Sequence, residues 1–199
     1  MILMKYTKID GAEFISHIDT LSHIGRTLTR AKIDCSFSKG FNPHKNINLS
    51  SPLPLGLKSV SEYCVIDTTE SEQTFMQKFN DFSPKGIKCI ACKEIDKKVN
   101  VADLIEGALY EIELVKDFNL QEFNSKTEMV VVDKRGKEFN LYDRVKSVTM
   151  VDNRLIALLN FGRNNLRIDD FLKAIDNLGA NVVKIAGYVQ DKNFDELYF

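Results

Sequence analysis

The sequence predicts an α+β fold made of two consecutive lobes, each built around an antiparallel sheet. Three observations support this prediction. Segments of β-type residues alternate with amphipathic helical segments in the first half, a degraded form of the same element order follows in the second half, and a charged stretch at 93–103 separates them. We expect a first lobe at 1–96, a linker at 97–106 and a second lobe at 107–199.

The first lobe has six predicted elements. In chain order they are a strand at 3–9, a helix at 16–31, extended pieces at 34–37 and 46–50, a strand at 61–67, a helix at 71–82 and a strand at 87–95. Ser16 begins the first helix, because its hydroxyl can accept a hydrogen bond from an exposed amide while Asp19 reaches back as the acidic half of a capping box. This β-α-β-β-α-β order is the ferredoxin-like split motif, which forms a four-stranded antiparallel sheet with both helices on one face.

The second half contains the same kinds of element with insertions. They are a strand at 108–115, a short helix at 120–125, strands at 129–133 and 138–141, a hairpin at 145–151 and 155–161, a helix at 168–178 and a strand at 182–189. Asp152 and Asn153 are expected to form the hairpin turn. The element order alone, without sequence similarity between the halves, predicts a degraded second ferredoxin-like lobe.

Composition narrows the class of protein. The chain has 44% hydrophobic and 28% charged residues, which is ordinary for a globular protein. No stretch approaches the roughly 18 to 20 apolar residues that a membrane span needs, and the first residues do not resemble a signal peptide. We therefore expect a cytoplasmic protein without membrane contact.

Four cysteines are present, and only Cys89 and Cys92 form a C-x-x-C pair. They fall in a predicted strand, where residues three apart point to opposite faces, so without a local turn the pattern predicts neither a shared metal nor a redox pair. The three-cysteine motif that holds the cluster of a radical-SAM enzyme is absent from the sequence. We expect neither a metal nor another cofactor.

Positive charge is concentrated in one region. Between residues 20 and 60 six basic residues face one acidic residue, Asp34, which gives a local net charge of +5 in a chain whose net charge is −1. The six are Arg26, Arg30, Lys32, Lys39, Lys45 and Lys58. The three histidines, His17, His23 and His44, lie in or beside this region. An anionic ligand is the natural partner of such a region.

The first predicted helix has a polar stripe and an apolar stripe. Asp19, His23, Arg26 and Arg30 share one face, and Ile18, Leu21, Ile24 and Leu28 the other. One interpretation is a solvated face with an Asp19–His23 contact. The other is that Arg26 and Arg30 present guanidinium groups to phosphates or carboxylates, with His23 as a nearby donor. His17 and His23 diverge by about 120° on the helix, which argues against joint metal binding.

The loop at 36–59 holds three of the four prolines yet lies inside a lobe. Its residues at one turn suit an anion or a nucleotide: Ser36, Ser38, Lys39, Asn42, His44 and Lys45, with Phe41 for stacking. Gly40 can adopt a positive φ there. The structural alternative is that Phe41 fills the core, Asn42 caps a turn and His44 satisfies a buried carbonyl.

A second candidate anion site is the helix start near Arg163 and Arg167, preceded by Gly162. Asp169 and Asp170 offer a simpler explanation, because acidic side chains at a helix N-terminus stabilise the helix by themselves.

Residues 5–63 resemble the radical-SAM-linked proteins, a bacterial family of unknown function. The resemblance rests on the blocks KY, SHID, R-x-x-x-R, SKGFNPH, PLPLG and SEY, and it extends more loosely over the remaining chain. It implies association with a radical-SAM protein but no reaction. Uncharged Thr27 and Thr29 stand between the two arginines here.

Three functions are consistent with these observations. The leading one is a non-catalytic accessory protein of a radical-SAM enzyme that binds RNA or another anionic substrate in a basic pocket. Its ligand site would consist of Arg26, Arg30, Ser38, Lys39, Phe41, Asn42, His44 and Lys45. The second is an RNA-processing or RNA-modifying enzyme that uses acid–base chemistry, with His17, Asp19, His23 and His44 as candidates. The third is a protein-docking module that uses Phe41 and Asn42.

Overall fold

The computed structural model describes residues 1–97 and 99–199. The chain divides into two compact units, and unit 1 comprises Met1–Leu104 together with Phe194–Phe199. Unit 2 comprises Ile105–Asn193. The segment Phe194–Phe199, which the sequence-based division places in the second lobe, thus groups with unit 1. No helix among the described residues has the length and apolar character to cross a membrane.

The described residues form a mixed α/β protein. Up to residue 104 the elements are β1 (Ile2–Lys8), a 3-10 helix (Ala12–Phe14), α1 (His17–Arg30), β2 (Ile47–Leu49), β3 (Lys58–Ile66), α2 (Glu72–Phe82), β4 (Cys89–Glu94) and α3 (Val101–Leu104). Next come β5 (Gly107–Glu113), α4 (Leu120–Ser125), β6 (Val130–Val132), β7 (Glu138–Asn140), a 3-10 helix (Leu141–Asp143), β8 (Val145–Val151) and β9 (Arg154–Asn160). The last are a 3-10 helix (Gly162–Asn164), α5 (Ile168–Ala174), β10 (Asn181–Val189), β11 (Lys192–Asn193) and α6 (Phe194–Tyr198).

Unit 1 is organised around strands in the order β4-β1-β3-β2. Each neighbouring pair is antiparallel, as the sequence predicts. Ser16 caps α1 as expected, because its Oγ accepts a hydrogen bond from the Asp19 amide. The predicted extended piece at 34–37 is not a strand; it contributes only an isolated bridge between Phe37 and Lys45.

The core of unit 1 lies between one sheet face and the helices α1 and α2. It includes Ile2, Met4, Tyr6, Ile24, Leu28, Phe75 and Phe79. The predicted orientation of Ile18 is wrong, since its side chain is 74% exposed. Thr20 and Thr27 are buried in α1 instead. The buried face of α1 is therefore rotated about the helix axis relative to the face that the hydropathy pattern predicts.

The last residues of unit 1 pack on Lys5 and Tyr63. The rings of Tyr63 and Phe194 lie 4.5 Å apart, and Phe194 is fully buried. Tyr63 Oη donates a hydrogen bond of 2.8 Å to Asp195 Oδ1, and Lys5 Nζ lies 2.6 Å from Asp195 Oδ2. The segment is therefore anchored by an aromatic contact, a hydrogen bond and an ion pair.

A β-bulge interrupts the pairing of β1 with β4. Lys5 pairs with Ala91 whereas Tyr6 pairs with Cys89, which leaves Ile90 as the extra residue. Cys92 pairs with Met4. The expectation that the two cysteines face opposite sides of the strand is wrong, because their partners are two residues apart and therefore share a face.

Unit 2 has strands in the order β10-β5-β9-β8, and all neighbouring pairs are antiparallel. β11 pairs with β10, and β6 and β7 form a separate hairpin. The predicted turn between β8 and β9 is confirmed: Asp152 and Asn153 have φ values of 45° and 62°, as two-residue hairpin turns require.

Candidate functional site

A groove of ≈ 480 Å³ lies between α1 and the chain that leads into β2. Its lining residues are Leu21, Ser22, Gly25, Arg26, Thr29, His44, Lys45 and Ile47. The residues from α1 recur at spacings of three and four, which places them on one helix face. The groove is within the size range of small-ligand sites.

Gly25 of α1 lies beside Ile47 of β2 in the groove. A Cβ atom built on Gly25 would lie 3.9 Å from Ile47 Cδ1. Because Gly25 has no side chain, the space beside Ile47 stays open, and Leu21 and Ile47 provide apolar surface there. The groove thus has an apolar part, formed by Leu21 and Ile47, and a polar part that includes Ser22 and Arg26.

The base of the loop that carries His44 is fixed by hydrogen bonds. The Asn46 amide donates to the Ser36 carbonyl at 3.0 Å, and the Ser36 amide donates to the Asp67 carbonyl at 2.9 Å. Asn46 Nδ2 also donates to Ser36 Oγ at 2.6 Å, and Ser36 Oγ donates to the Asp67 carboxylate. The loop is therefore attached firmly beside β3.

Ser38 and His44 close the tip of the loop. The Ser38 amide donates to the His44 carbonyl at 2.8 Å, and the His44 amide donates to Ser38 Oγ at 3.1 Å. Ser38 Oγ also lies 2.9 Å from His44 Nδ1. The first two contacts fix the His44 backbone, and the third orients the imidazole that lines the groove.

The five residues between Ser38 and His44 are exposed. Gly40 has the expected positive φ, at 139°. Phe41 is fully exposed, so the alternative in which its ring fills the core is wrong. Lys39, Phe41 and Asn42 are presented to solvent and do not line the groove.

Positive charge lines the groove without a compensating carboxylate. Arg26 and Lys45 carry the positive charge on its surface, where His44 also lies, and none of its described lining residues is acidic. Lys45 Nζ lies 4.8 Å from the centre of the Phe37 ring. Within residues 1–97 and 99–199, Arg26 forms neither a hydrogen bond nor an ion pair with another side chain. Its guanidinium is therefore free to meet a ligand.

Arg30 has a different environment from Arg26. Its Nη2 donates to the Phe82 carbonyl at 3.1 Å and to Thr27 Oγ1 at 3.3 Å. The Arg30 side chain thus provides a hydrogen-bond donor for a carbonyl group at the end of α2, and it does not line the groove. The structure therefore separates the two arginines that sequence analysis grouped together.

Of the four candidate acid–base residues, His44 lines the groove and His17, Asp19 and His23 do not. Asp19 Oδ2 accepts a hydrogen bond of 2.7 Å from Ser16 Oγ, and in the described part of the chain no hydrogen bond joins Asp19 to His23. His17 is half-buried, and its desolvation lowers the pKa. Nor do the described residues contain a group of three or more His, Cys, Asp and Glu side chains placed to hold a metal.

The second candidate anion site is occupied by the chain itself. Arg167 Nη2 lies 2.8 Å from Asp169 Oδ2, at the start of α5. That helix has only seven residues. The simpler explanation, a helix terminus stabilised by its own acidic residues, accounts for this contact.

Residues 1–173 match the model of a protein family described as "Uncharacterized protein conserved in bacteria (DUF2344)". The chain belongs to the DUF2344 family. No curated protein matches it. The DUF2344 match includes the whole groove, but its description gives no reaction, ligand or partner, so the link to radical-SAM enzymes stays a prediction.

Proposed function

We propose that this DUF2344 protein is a non-catalytic accessory protein that binds RNA in the groove beside α1 and presents it to a radical-SAM enzyme. The observation that carries the proposal is that Arg26 and Lys45 line the groove together with His44, with no acidic residue among the described lining residues. The chain as a whole has a net charge of −1. Because the chain as a whole carries little net charge, this local cluster of cations favours the binding of a polyanion at the groove over non-specific binding to acidic surfaces.

The groups in the groove match the chemistry of a nucleotide. A guanidinium and an ammonium can pair with phosphate oxygens, and the Ser22 and Thr29 hydroxyls can donate to phosphate or ribose oxygens. Leu21 and Ile47 offer an apolar surface to a sugar or base edge. Phe41, on the loop that carries His44, offers a whole ring face for stacking.

We further infer that the two units are tandem ferredoxin-like lobes. Their strand orders, β4-β1-β3-β2 and β10-β5-β9-β8, are both the order fourth, first, third, second when the β6–β7 hairpin is counted as an insertion. Each unit then has the element order β-α-β-β-α-β. A four-stranded sheet of this kind is a common platform for RNA recognition.

The association with a radical-SAM enzyme is supported by the resemblance of residues 5–63. The chain lacks the three-cysteine motif for a cluster of its own, so cluster chemistry would belong to the partner. Purification of the tagged protein from its own cells, followed by identification of the proteins and nucleic acids that accompany it, tests this association. Recovery of neither a radical-SAM protein nor RNA would contradict it.

RNA binding itself is tested by titrating a fluorescent single-stranded RNA with the full chain at several salt concentrations. Two phosphates neutralised by Arg26 and Lys45 predict that log K falls with log salt with a slope of about −1.4, since each phosphate contributes about −0.7 for a single strand. An uncharged RNA analogue of the same sequence is the control and should bind weakly. Absence of binding at low salt, or binding that salt does not weaken, would refute the proposal.

A protein-docking module is the second candidate, and the full exposure of Phe41 favours it. Under this alternative, substitution of Phe41 or Asn42 abolishes capture of the partner protein while RNA affinity is unchanged. Under the leading proposal, RNA affinity falls as well. Measuring both in the same variants separates the two functions.

A further inference from the structure

We propose that Cys89 and Cys92 form a dithiol that undergoes thiol–disulfide exchange with small-molecule disulfides such as oxidised glutathione. This site is independent of the groove and of the proposed RNA binding. The observation behind it is the bulge at Ile90, which brings two cysteines three residues apart to the same face of β4.

The pairing register gives the separation of the two cysteines. Cys92 is opposite Met4 and Cys89 is opposite Tyr6, and both partners face the helix-covered core. Two residues of a strand span about 6.6 Å, so the Cα atoms of the cysteines are expected at roughly that distance. Disulfides join Cα atoms that are roughly 4.4 to 6.8 Å apart, so the bond requires at most a small backbone adjustment.

The two thiols have different surroundings, and each has a distinct role. Cys89 is 2% exposed, whereas Cys92 is half-buried at the margin of the core. Cys89 Sγ donates a hydrogen bond of 3.4 Å to the Ala91 carbonyl, and Cys92 Sγ donates one of 3.2 Å to the Glu72 carbonyl. The neighbouring Cys89 side chain lowers the pKa of Cys92, whereas the Cys92 side chain and burial raise the pKa of Cys89. Cys92 is therefore the attacking thiolate and Cys89 the resolving thiol.

The other two cysteines lack these properties. Cys35 and Cys64 are 5% and 0% exposed, and burial raises the pKa of each thiol. All four cysteines are free thiols in the structure. Cys35 and Cys64 thus serve as internal controls in the same molecule.

The exchange proceeds in two balanced steps. The Cys92 thiolate attacks one sulfur of oxidised glutathione, forming a mixed disulfide and releasing one glutathione thiolate, which takes up a proton. Cys89 then loses its proton and attacks Cys92 Sγ, forming the protein disulfide and releasing the second glutathione. Two cysteine thiols are oxidised and one glutathione disulfide is reduced to two thiols.

The test uses the full, folded chain incubated with oxidised glutathione, then denatured and alkylated. Intact mass should show four alkylated cysteines before treatment and two after it, and peptide mapping should place the disulfide between Cys89 and Cys92. Retention of four free thiols, a disulfide at another pair, or a glutathione adduct that never resolves would overturn the proposal.

Two variants, one at each cysteine, test the roles of Cys89 and Cys92 separately. Cys89→Ala should accumulate the glutathione adduct on Cys92, because the resolving thiol is missing, whereas Cys92→Ser should lose the reaction altogether. Cys35→Ser is the matched control and should form the disulfide like the unaltered chain. An adduct on Cys89 in Cys92→Ser at the unaltered rate would overturn the assignment of Cys92 as the attacking thiol.

Discussion

Arg26 of α1 and His44 of the following loop line the same groove. The helix supplies the guanidinium, and three contacts between Ser38 and His44 hold the imidazole in place. Two segments with different local conformations thereby contribute to one groove. The proposed ligand would meet a site whose side chains are already oriented.

Replacement of Arg26 by Ala should weaken RNA binding several-fold and reduce the salt slope by about 0.7, because one phosphate contact is lost. Arg30→Ala is the matched control. Its guanidinium already donates to the Phe82 carbonyl, so the slope should be unchanged. Fluorescence titration over a range of salt concentrations measures both. Equal effects of the two substitutions would argue against the groove as the binding site.

Phe41→Ala should lower RNA affinity about tenfold, since stacking of a base on an aromatic ring contributes about 1–3 kcal/mol. The ring is fully exposed, so the free energy of unfolding should change by less than about 0.5 kcal/mol. Binding titrations and urea denaturation report the two quantities. A loss of stability without a loss of affinity would show that the ring has a structural role.

Asp195→Ala should destabilise unit 1 by about 2 kcal/mol, because it removes the acceptor of both Lys5 and Tyr63. Tyr63→Phe should cost about 1–2 kcal/mol, as it deletes a buried hydroxyl that contacts both Asp195 and Ser61 Oγ and keeps the ring contact with Phe194. Glu196→Ala, an exposed carboxylate in the same helix, is the control. Urea denaturation provides the comparison, and three indistinguishable midpoints would contradict the anchoring role.

Gly86→Ala should destabilise the protein by about 3 kcal/mol or more, for two reasons. Its φ is 90°, and a Cβ added there would overlap the Ile9 carbonyl oxygen. Gly136 also has a positive φ, of 79°, but in the described chain nothing lies within 4 Å of the point that an added Cβ would occupy. Gly136→Ala should therefore cost only about 1 kcal/mol. Thermal unfolding of both variants checks the difference.

His17 should make stability depend on pH. Its desolvation lowers the pKa in the folded chain, so the unfolded chain binds the proton more readily. The contribution is complete above the unfolded pKa of about 6.5 and is lost as pH falls from there through the lower folded value. His17→Gln should reduce the change in urea midpoint between about pH 7.5 and pH 5. An unchanged pH dependence would show that other groups control it.

The sequence was sufficient to predict the main elements but not the faces that they bury. Ser16 and the apolar spacing in α2 identify their helices because these signals are local. Ile18 was assigned to the wrong face, because the orientation of α1 depends on Thr20 and Thr27 packing in the core. A hydropathy pattern does not distinguish a buried threonine from a solvated one.

The sequence predicted only some of the residues of the candidate site. Arg26, His44 and Lys45 belong to the groove, as local charge density suggested. Ser22, Thr29 and Gly25 were missed, although their spacing on α1 with Arg26 could have identified them. The Cys89–Cys92 relationship depends on a bulge in the pairing with β1, and no local pattern in IKCIACKEI reveals that extra residue.

The position of Asp195 affects how this protein can be synthesised. Lys5 and its partner are separated by 190 positions in the chain, so the ribosome completes β1 long before the carboxylate exists. During that interval the Tyr63 ring, fully buried in the finished protein, lacks Phe194. Unit 1 can therefore complete its packing only after residues 194 and 195 have been synthesised.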